Sequence, residues 1–484
     1  MNASYDVAVI GAGVVGGAVA RELSKYNLNI VVLERENDIC VGTSKANSAI
    51  IHAGYDPKEG SLMAKLNVEG NDLFTRLCRE LDVPLERNGS LVVAFDDEQL
   101  AQIKALKERG EKNGVPELTI LSKEELLVME PNISNEAKGA LFAKTAGIID
   151  PMLFTFSLIE NAVANGAECL LNFDVQSIRR EKDKYVISSG NQEDSCVQEI
   201  TADFVVNAAG VYADEIHNMV APEAFKAVTR RGQYFILDKS EGDIVTKTVF
   251  PCPDKTGKGI LVVPSIHGNV FLGPASDYPS EKDDVATTED TLHKAGAGAK
   301  KLIPKVDPRY CIRVFSGLRA ETDKDDFIIE EAAGAPGFID VAGIKSPGLS
   351  SAPAIALYVI SILRDKGLEL HEKEVFDHIV KRKFLIDKTR EEQDALIREN
   401  PLYGRVICRC ENITEGDIVD AIHRKPGATT VEGVKRRCRA GMGRCQAGFC
   451  GPRVQRILAR ELERPLEEIV LEKEGSYILT GETK

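Results

Sequence analysis

The sequence has no excess of positive charge. Its 61 Lys and Arg stand against 75 Asp and Glu, a net charge of −14, and this argues against general nucleic-acid binding, which needs a basic footprint. It has no long apolar run either. The longest, Leu349 to Leu363, is broken by Ser350, Ser351 and Pro353 and is too short to span a bilayer comfortably, so it reads as a buried helix. No secretory lead precedes the first strand pattern, DVAVIG, so the cytoplasm is the expected location, with any membrane association peripheral and through a partner. The eleven cysteines, in a reducing compartment, are expected to be free thiols or metal ligands rather than a disulfide framework. Cys40, Cys78, Cys169, Cys196, Cys252 and Cys311 are scattered singly and read as structural. With 484 residues, 43% of them hydrophobic and 28% charged, the chain can bury a full core, and its length suggests about three domains.

The first 35 residues read as one βαβ unit. Asp6 to Ile10 forms a strand, Gly11-Ala-Gly13-Val-Val-Gly16 the turn, Gly17 to Ser24 a helix, and Ile30 to Leu33 a second strand ending at Glu34. Gly11 permits the tight turn, Gly13 lets backbone approach a pyrophosphate, and Gly16 lets helix and strand pack closely, while Glu34 would accept the ribose hydroxyls. A second glycine pair, Gly296 and Gly298, follows no strand and reads as helix or loop. With one good fingerprint the chain has no evident nicotinamide site, so a substrate other than NAD(P)H is expected to supply electrons. FVVNAAG, residues 204 to 210, is a continuous apolar run ending in small residues, as a buried parallel strand should be where a cofactor approaches its end.

Residues 42 to 56, GTSKANSAIIHAGYD, continued by GSLMAKLNVEGN, resemble the flavin-contacting segment of the glycerol-3-phosphate dehydrogenase and L-2-hydroxyglutarate dehydrogenase branch of the D-amino-acid-oxidase-like flavoproteins. IDPMLF, NGAECLLNFDVQSI, FVVNAAGVYADEI, RRGQYFILD, GKGILVVPSIHGNVFLGP, FSGLRAETDKDDFIIE and GFIDVAGIKSPGLSSAPAIA recur in the same order, so the resemblance spans about residues 5 to 365. It implies an α/β fold: a doubly wound FAD-binding domain from residues 1–85, 149–225 and 320–365, with an inserted antiparallel-sheet substrate domain from 86–148 and 226–319. It also implies FAD contacts from Arg35, Thr43, Ser44, Asn47, Ser48, Val175, Ala209 and Gly210. In SPGLSSAPAIALYVISIL a polar start turns into an apolar helix, whose N-terminus can face an electron-rich group. The family places the N1–C2=O edge of the flavin there, which makes Ser346, Gly348, Leu349 and Ser350 the expected contacts.

Oxidising an alcohol or amine requires a base, and an anionic substrate requires cations. His52 sits where the family places residues beside the flavin and is the expected base. Arg319, in GLRAET, resembles the family's anion-binding arginine; Lys258, before an apolar strand, is positioned to reach a phosphate, with Arg231 a weaker candidate. Glycerol 3-phosphate is the favoured substrate, with L-2-hydroxyglutarate and secondary amino acids as alternatives.

Beyond residue 365 the chain becomes charged, and the spacing of Val375, Ile379 and Phe384 predicts a helical linker over 366–404. Residues 405–462 are compact and basic, and a tail follows over 463–484. Cys408 and Cys410 in VICRCENIT and Cys445 and Cys450 in GMGRCQAGFC have the spacing of a small metal centre, suited to a [2Fe-2S] cluster or tetrahedral zinc. The segment resembles the small helical bacterioferritin-associated-ferredoxin-like [2Fe-2S] domain, which favours the cluster; Cys438 stands outside the two pairs and is expected to be a non-ligating thiol. Arg436, Arg437, Arg439 and Arg444 are expected to offset the charge of the thiolates. Two functions stay open. In one, electrons pass through the cluster to a partner protein or a quinone; in the other, the C-terminal domain only docks a flavin oxidase to its partner.

Overall fold

In the computed structural model, which describes residues 3–190, 197–253 and 259–481, the apolar runs build two sheets of eight strands each. The first is centred on Ala3–Ile10, which pairs in parallel with Ile30–Leu33 on one side and Glu199–Asn207 on the other. Glu168–Leu170 extends it beyond Ile30–Leu33, and Phe338–Ala342 beyond Glu199–Asn207, both in parallel. The central strands are buried on both faces, hence their unbroken apolar sequences. One face is covered by the helices Val14–Leu23, Pro151–Ala164 and Gly348–Asp365, and Leu62–Glu80 packs against the last of these. Gly70 makes that close approach: a Cβ there would stand 2.1 Å from the carbonyl oxygen of Ser350.

Leu349 to Leu363 lies in a largely buried helix, and Gly296 and Gly298 fall inside the helix Glu289–Leu302. Among the described residues no helix is long and apolar enough to cross a membrane. The helix expected from Gly17 starts instead at Val14, because the Gly11–Gly16 turn passes directly into the helix with Gly13 as its N-cap.

The second sheet runs Cys311–Thr322, Ala227–Leu237, Val270–Asp277, Leu261–Pro264, Thr248–Pro251, Ser90–Ala94, Gly139–Ala143, Leu118–Ser122. Its pairings are antiparallel except one. Thr248–Pro251 lies parallel to Ser90–Ala94, since these strands come from two separate stretches of chain and no hairpin dictates their direction.

The expected linker helix is absent from 366–384. Val375 is 83% and Ile379 54% exposed; their spacing mimics a helical face that has nothing to pack on. A helix forms only at Arg390–Glu399, where Thr389 and Glu392 make a capping box. Phe384 packs against both the first core and the C-terminal core. The C-terminal unit holds the helices Glu415–His423, Val431–Cys438 and Gly451–Glu461 around Ile418, Val434, Val454 and Leu458. The segment after 463 folds back rather than trailing: Val470 bridges Tyr477, and Glu472 pairs with Lys45 and Arg436.

This unit is locked to the first domain by buried charge. Asp38 receives Arg436 Nη2 at 2.8 Å and both terminal nitrogens of Arg437 at 2.8 and 2.6 Å, and all three side chains are buried. Arg437 also lies over Phe156, 4.3 Å from the ring centroid. Burial opposes ionisation of Asp38, but the two guanidinium groups outweigh it and hold the carboxyl below its ordinary range. These two arginines therefore neutralise Asp38 rather than the thiolates. A second contact joins Glu160 to Arg382 and Arg424 at 2.8 and 3.1 Å. Asp38→Ala leaves the buried Arg437 without a carboxylate and Arg436 with Glu472 alone, and should destabilise the docked state by about 3–5 kcal/mol. Limited proteolysis should then release the 405–481 region, and cleavage no faster than in the wild type would refute this role.

Candidate functional site

The glycine turn is shaped by its neighbours. Gly11 has φ +104°, and a Cβ on it would meet Ala208 O at 2.5 Å; a Cβ on Gly16 would stand 1.9 Å from Gly11 O. A Cβ on Gly13 would crowd Ser44 Oγ at 3.1 Å. The N-cap residue Gly13 has no side chain to offer, and Ser44 Oγ takes the first helical N–H, that of Val14; at Pro347, where Gly348–Asp365 begins, the cap residue's side chain makes no bond to the helix. By contrast Ser61, Asp150, Thr389, Thr414 and Thr430 all cap their helices. Beyond Val14 N, these two helix starts keep backbone donors that suit anionic or electron-rich groups.

Glu34 ends its strand against this turn, accepting from Ala12 N at 2.8 Å and Glu36 N at 3.1 Å, and burial pushes its carboxyl above the ordinary range. Arg35 turns aside and stacks on Tyr212, 4.0 Å from the centroid. Val175 is buried in the core on the far face of the sheet. Asn207, bonded to Asp340 Oδ1 and Ala213 O, fixes the loop that carries Ala209 and Gly210, the latter at φ +61°. FAD fits these residues: a turn whose glycines leave the backbone bare at Gly11, Gly13 and Gly16, backbone donors at the helix start and a carboxylate at the strand end.

Residues 43 to 48 bind the two sheets together. Thr43 Oγ1 donates to Leu318 O at 2.6 Å, Ser44 Oγ accepts from Val14 N at 2.9 Å, and Asn47 Nδ2 donates to the carbonyls of Thr43 and Ser44. Ser48 Oγ lies 2.9 Å from the hydroxyl of Tyr234, whose ring stacks on Phe315 at 4.7 Å. Gly317 permits this docking, because a Cβ there would fall 1.8 Å from Ala46 O.

His52 is held on three sides. Its N–H donates to Ser350 Oγ at 2.7 Å, its carbonyl accepts from Asn67 and Asn71 at 2.8 and 2.9 Å, and its Nε2 lies 3.1 Å from Ser346 Oγ. Leu349 is half-buried against the first core, and a Cβ on Gly348 would meet Ile344 Cγ2 at 2.7 Å. The structure thus brings His52, Ser346 and Ser350 together.

Arg319 lies opposite Arg230 in the pairing of Cys311–Thr322 with Ala227–Leu237. Strand alternation puts Arg319 on the face of Gly317, over the 43–48 loop, and Arg230 on the face of Tyr234. Arg319 makes no ion pair or side-chain hydrogen bond among the described residues. Arg231 has the opposite parity. It is buried and held by Asp277 at 2.9 and 2.8 Å and by Asp284 at 2.7 Å, so it is not an anion site. Arg231 is the weaker sequence candidate, and its parity, opposite to that of Tyr234 and Arg230, turns it to the acidic pair. Lys258 and Cys196 lie outside the described residues.

The four C-terminal cysteines form two sulfur pairs. Cys410 Sγ is 3.7 Å from Cys445 Sγ, and Cys450 hydrogen-bonds to Cys408. That bond, with backbone N–H groups of Gly441, Glu411 and Cys410, holds the Cys408 thiol below its ordinary range. Among the described residues no three His, Cys, Asp or Glu side chains converge as ligands of a single ion; two pairs suit a two-iron cluster with two thiolates per iron. Arg439, Gln446 and Ala447 adopt left-handed backbone around this loop, conformations that persist only where the surroundings fix them. A Cβ on Gly443 would stand 2.2 Å from Cys410 Cβ. Cys438 instead points into the helical core, donates to Val434 O at 3.3 Å, and is pushed up to about 12 by burial. Arg439 pairs with Glu411, and Arg444 with Asp238 at 2.8 Å. The second pair, with Lys239–Glu411 and Arg313–Gln446, seats the cysteine loop on the ends of the two strands that hold Tyr234 and Phe315. Sequence reading missed this seat because its residues lie far apart in the chain.

Residues 6–362 match the family model "FAD dependent oxidoreductase", and residues 406–460 match "BFD-like [2Fe-2S] binding domain". A protein of Caloramator mitchellensis described as glycerol 3-phosphate dehydrogenase is 52% identical over 483 residues, covering 99% of each chain. A glycerol 3-phosphate oxidase of Mycoplasma genitalium is 32% identical over 368 residues, covering 75% of this chain and 95% of that one. Among solved structures, L-alpha-glycerophosphate oxidase of Mycoplasma pneumoniae with FAD bound superposes with a TM-score of 0.74 at 30% identity, covering 79% of this chain and 99% of that one.

Gly443→Ala should displace Cys410 and abolish the visible absorbance of the cluster while the flavin spectrum survives; Cys438→Ser should keep both. Cluster loss in Cys438→Ser, or its full retention in Gly443→Ala, would contradict this ligand assignment.

Proposed function

Because the chain belongs to the FAD dependent oxidoreductase family and carries a BFD-like [2Fe-2S] binding domain, we propose that it oxidises glycerol 3-phosphate to dihydroxyacetone phosphate and sends the electrons out through the cluster. The observation that carries the substrate class is the cross-strand pair Arg230 and Arg319. Arg319 makes no ion pair among the described residues, whereas Arg230 has Glu321 Oε1 4.0 Å away, so Arg319 is the guanidinium fork left to take a phosphate in bidentate fashion, with Arg230 adding positive charge beside it. The printed names of the relatives support the same substrate.

Oxidation removes a hydride from C2 and a proton from its hydroxyl. FAD, when bound, accepts the hydride. His52 Nε2 takes the proton, and Ser346 Oγ at 3.1 Å sets the plane of the ring. The bonds to Ser350, Asn67 and Asn71 fix the backbone of His52, so the base is positioned before substrate arrives. Arg319 holds the phosphate. The cysteine loop, seated on Asp238 and Arg313, provides the way out. Tyr234 stands four residues before Asp238, about 13 Å along a strand, so the aromatic pair that touches Ser48 lies between the cofactor loop and the sulfurs.

Glycerol 3-phosphate should bleach the flavin of the anaerobic enzyme; bleaching by 2-hydroxyglutarate or proline in its place would sink the substrate assignment. His52→Asn should lower kcat by about 10²–10⁴-fold with little change in KM. An unaltered kcat would remove His52 from the reaction.

A further inference from the structure

We infer, resting on the reading that electrons leave through the cluster, that the surface around Cys410 is the docking face for an acidic one-electron carrier protein. The chain is acidic overall, yet residues 405–462 hold twelve Lys and Arg against six Asp and Glu. Of those acids Glu411, Glu415 and Asp417 are buried. The bases nearest the cysteines point outward: Arg409 stands between Cys408 and Cys410, Arg444 precedes Cys445 and is 70% exposed, and Arg453 and Arg456 line the solvent face of the helix that starts after Cys450. Arg409, Arg453 and Arg456 make no ion pair among the described residues.

The sulfurs are unequal in access. Cys408 and Cys450 are buried, whereas Cys410 is exposed, so a bound cluster presents one edge to solvent. Phe449, next to Cys450 in the chain, stands 83% exposed, and the exposed Arg444 and Arg453 lie within five residues of it in the sequence. An exposed aromatic flanked by Arg has the composition of a protein-docking centre. The rest of the chain holds 49 Lys and Arg against 69 Asp and Glu, so the net field disfavours an acidic partner there and favours it at this patch.

The test uses the full-length holoenzyme, oxidised, mixed with a reduced acidic [2Fe-2S] ferredoxin, and follows cluster reduction by stopped flow. Electron delivery in this direction uses the same face and needs no substrate, so a failure of the glycerol 3-phosphate assignment leaves the readout intact. The second-order rate should fall about tenfold or more on going from low to high salt. R453E/R456E should lower it by about tenfold at low salt while substrate bleaching of the flavin keeps its wild-type rate. A rate indifferent to salt in the wild type would overturn the proposal, as would an unchanged rate in a double variant that retains its cluster absorbance. Sedimentation of the wild type, but not R453E/R456E, with phosphatidylglycerol vesicles, together with a salt-indifferent ferredoxin rate, would assign the patch to an anionic membrane instead.

Discussion

The buried contact of Asp38 with Arg436 and Arg437 is the constraint on which the rest of the molecule depends. It joins the loop after the second strand of the dinucleotide-binding unit to the helix that leads into the cysteine loop. A buried ion pair is a poor source of net stability, because each charge gives up its hydration. Its effect is selection: any other seating of the C-terminal unit leaves Arg437 without a carboxylate and takes from Arg436 one of its two. The stack of Arg437 on Phe156 and the Glu160–Arg382–Arg424 contact reinforce the same arrangement. With the unit so placed, Arg444 and Gln446 reach Asp238 and Arg313, and the sulfurs stand at the end of the substrate-side sheet.

The loop from Thr43 to Ser48 plays the matching part inside the flavoprotein. It is a short run of small polar residues whose hydrogen bonds go outward, to the first turn of the glycine-loop helix, to Leu318 and to Tyr234. Gly317 lets the second sheet come down on it. The cofactor cradle, the Arg230–Arg319 pair and the Tyr234–Phe315 stack are therefore fixed relative to one another by one segment. A shift in that segment would move the cradle, the Arg230–Arg319 pair and the aromatic stack together.

Much of this was legible in the sequence, and the exceptions have physical causes. The glycine fingerprint, the buried strand ending at Ala209 and Gly210, and the four-cysteine segment are local patterns, set by period, turn geometry and spacing. What was missed is long-range. Asp38 is one acid among 75 Asp and Glu, and nothing near it in the chain marks it as the partner of residues some 400 positions away. The arginines beside the cysteines looked like counter-charges to the thiolates, yet two of them face Asp38. Val375 and Ile379 carried helical spacing without a surface to bury it, and spacing alone cannot separate the two cases. Arg231 and Arg230 differ only in parity, which becomes decisive once the pairing register is known.

The central claim is that a flavin site and a cysteine site in one chain form a single electron path. The direct measurement is electron paramagnetic resonance of the anaerobic holoenzyme, frozen shortly after mixing with glycerol 3-phosphate. The account predicts the spectrum of a reduced [2Fe-2S] cluster, rising as the flavin is reduced. A bleached flavin beside a silent cluster, with peroxide formed once oxygen is admitted, would contradict it and leave the C-terminal domain as a docking module.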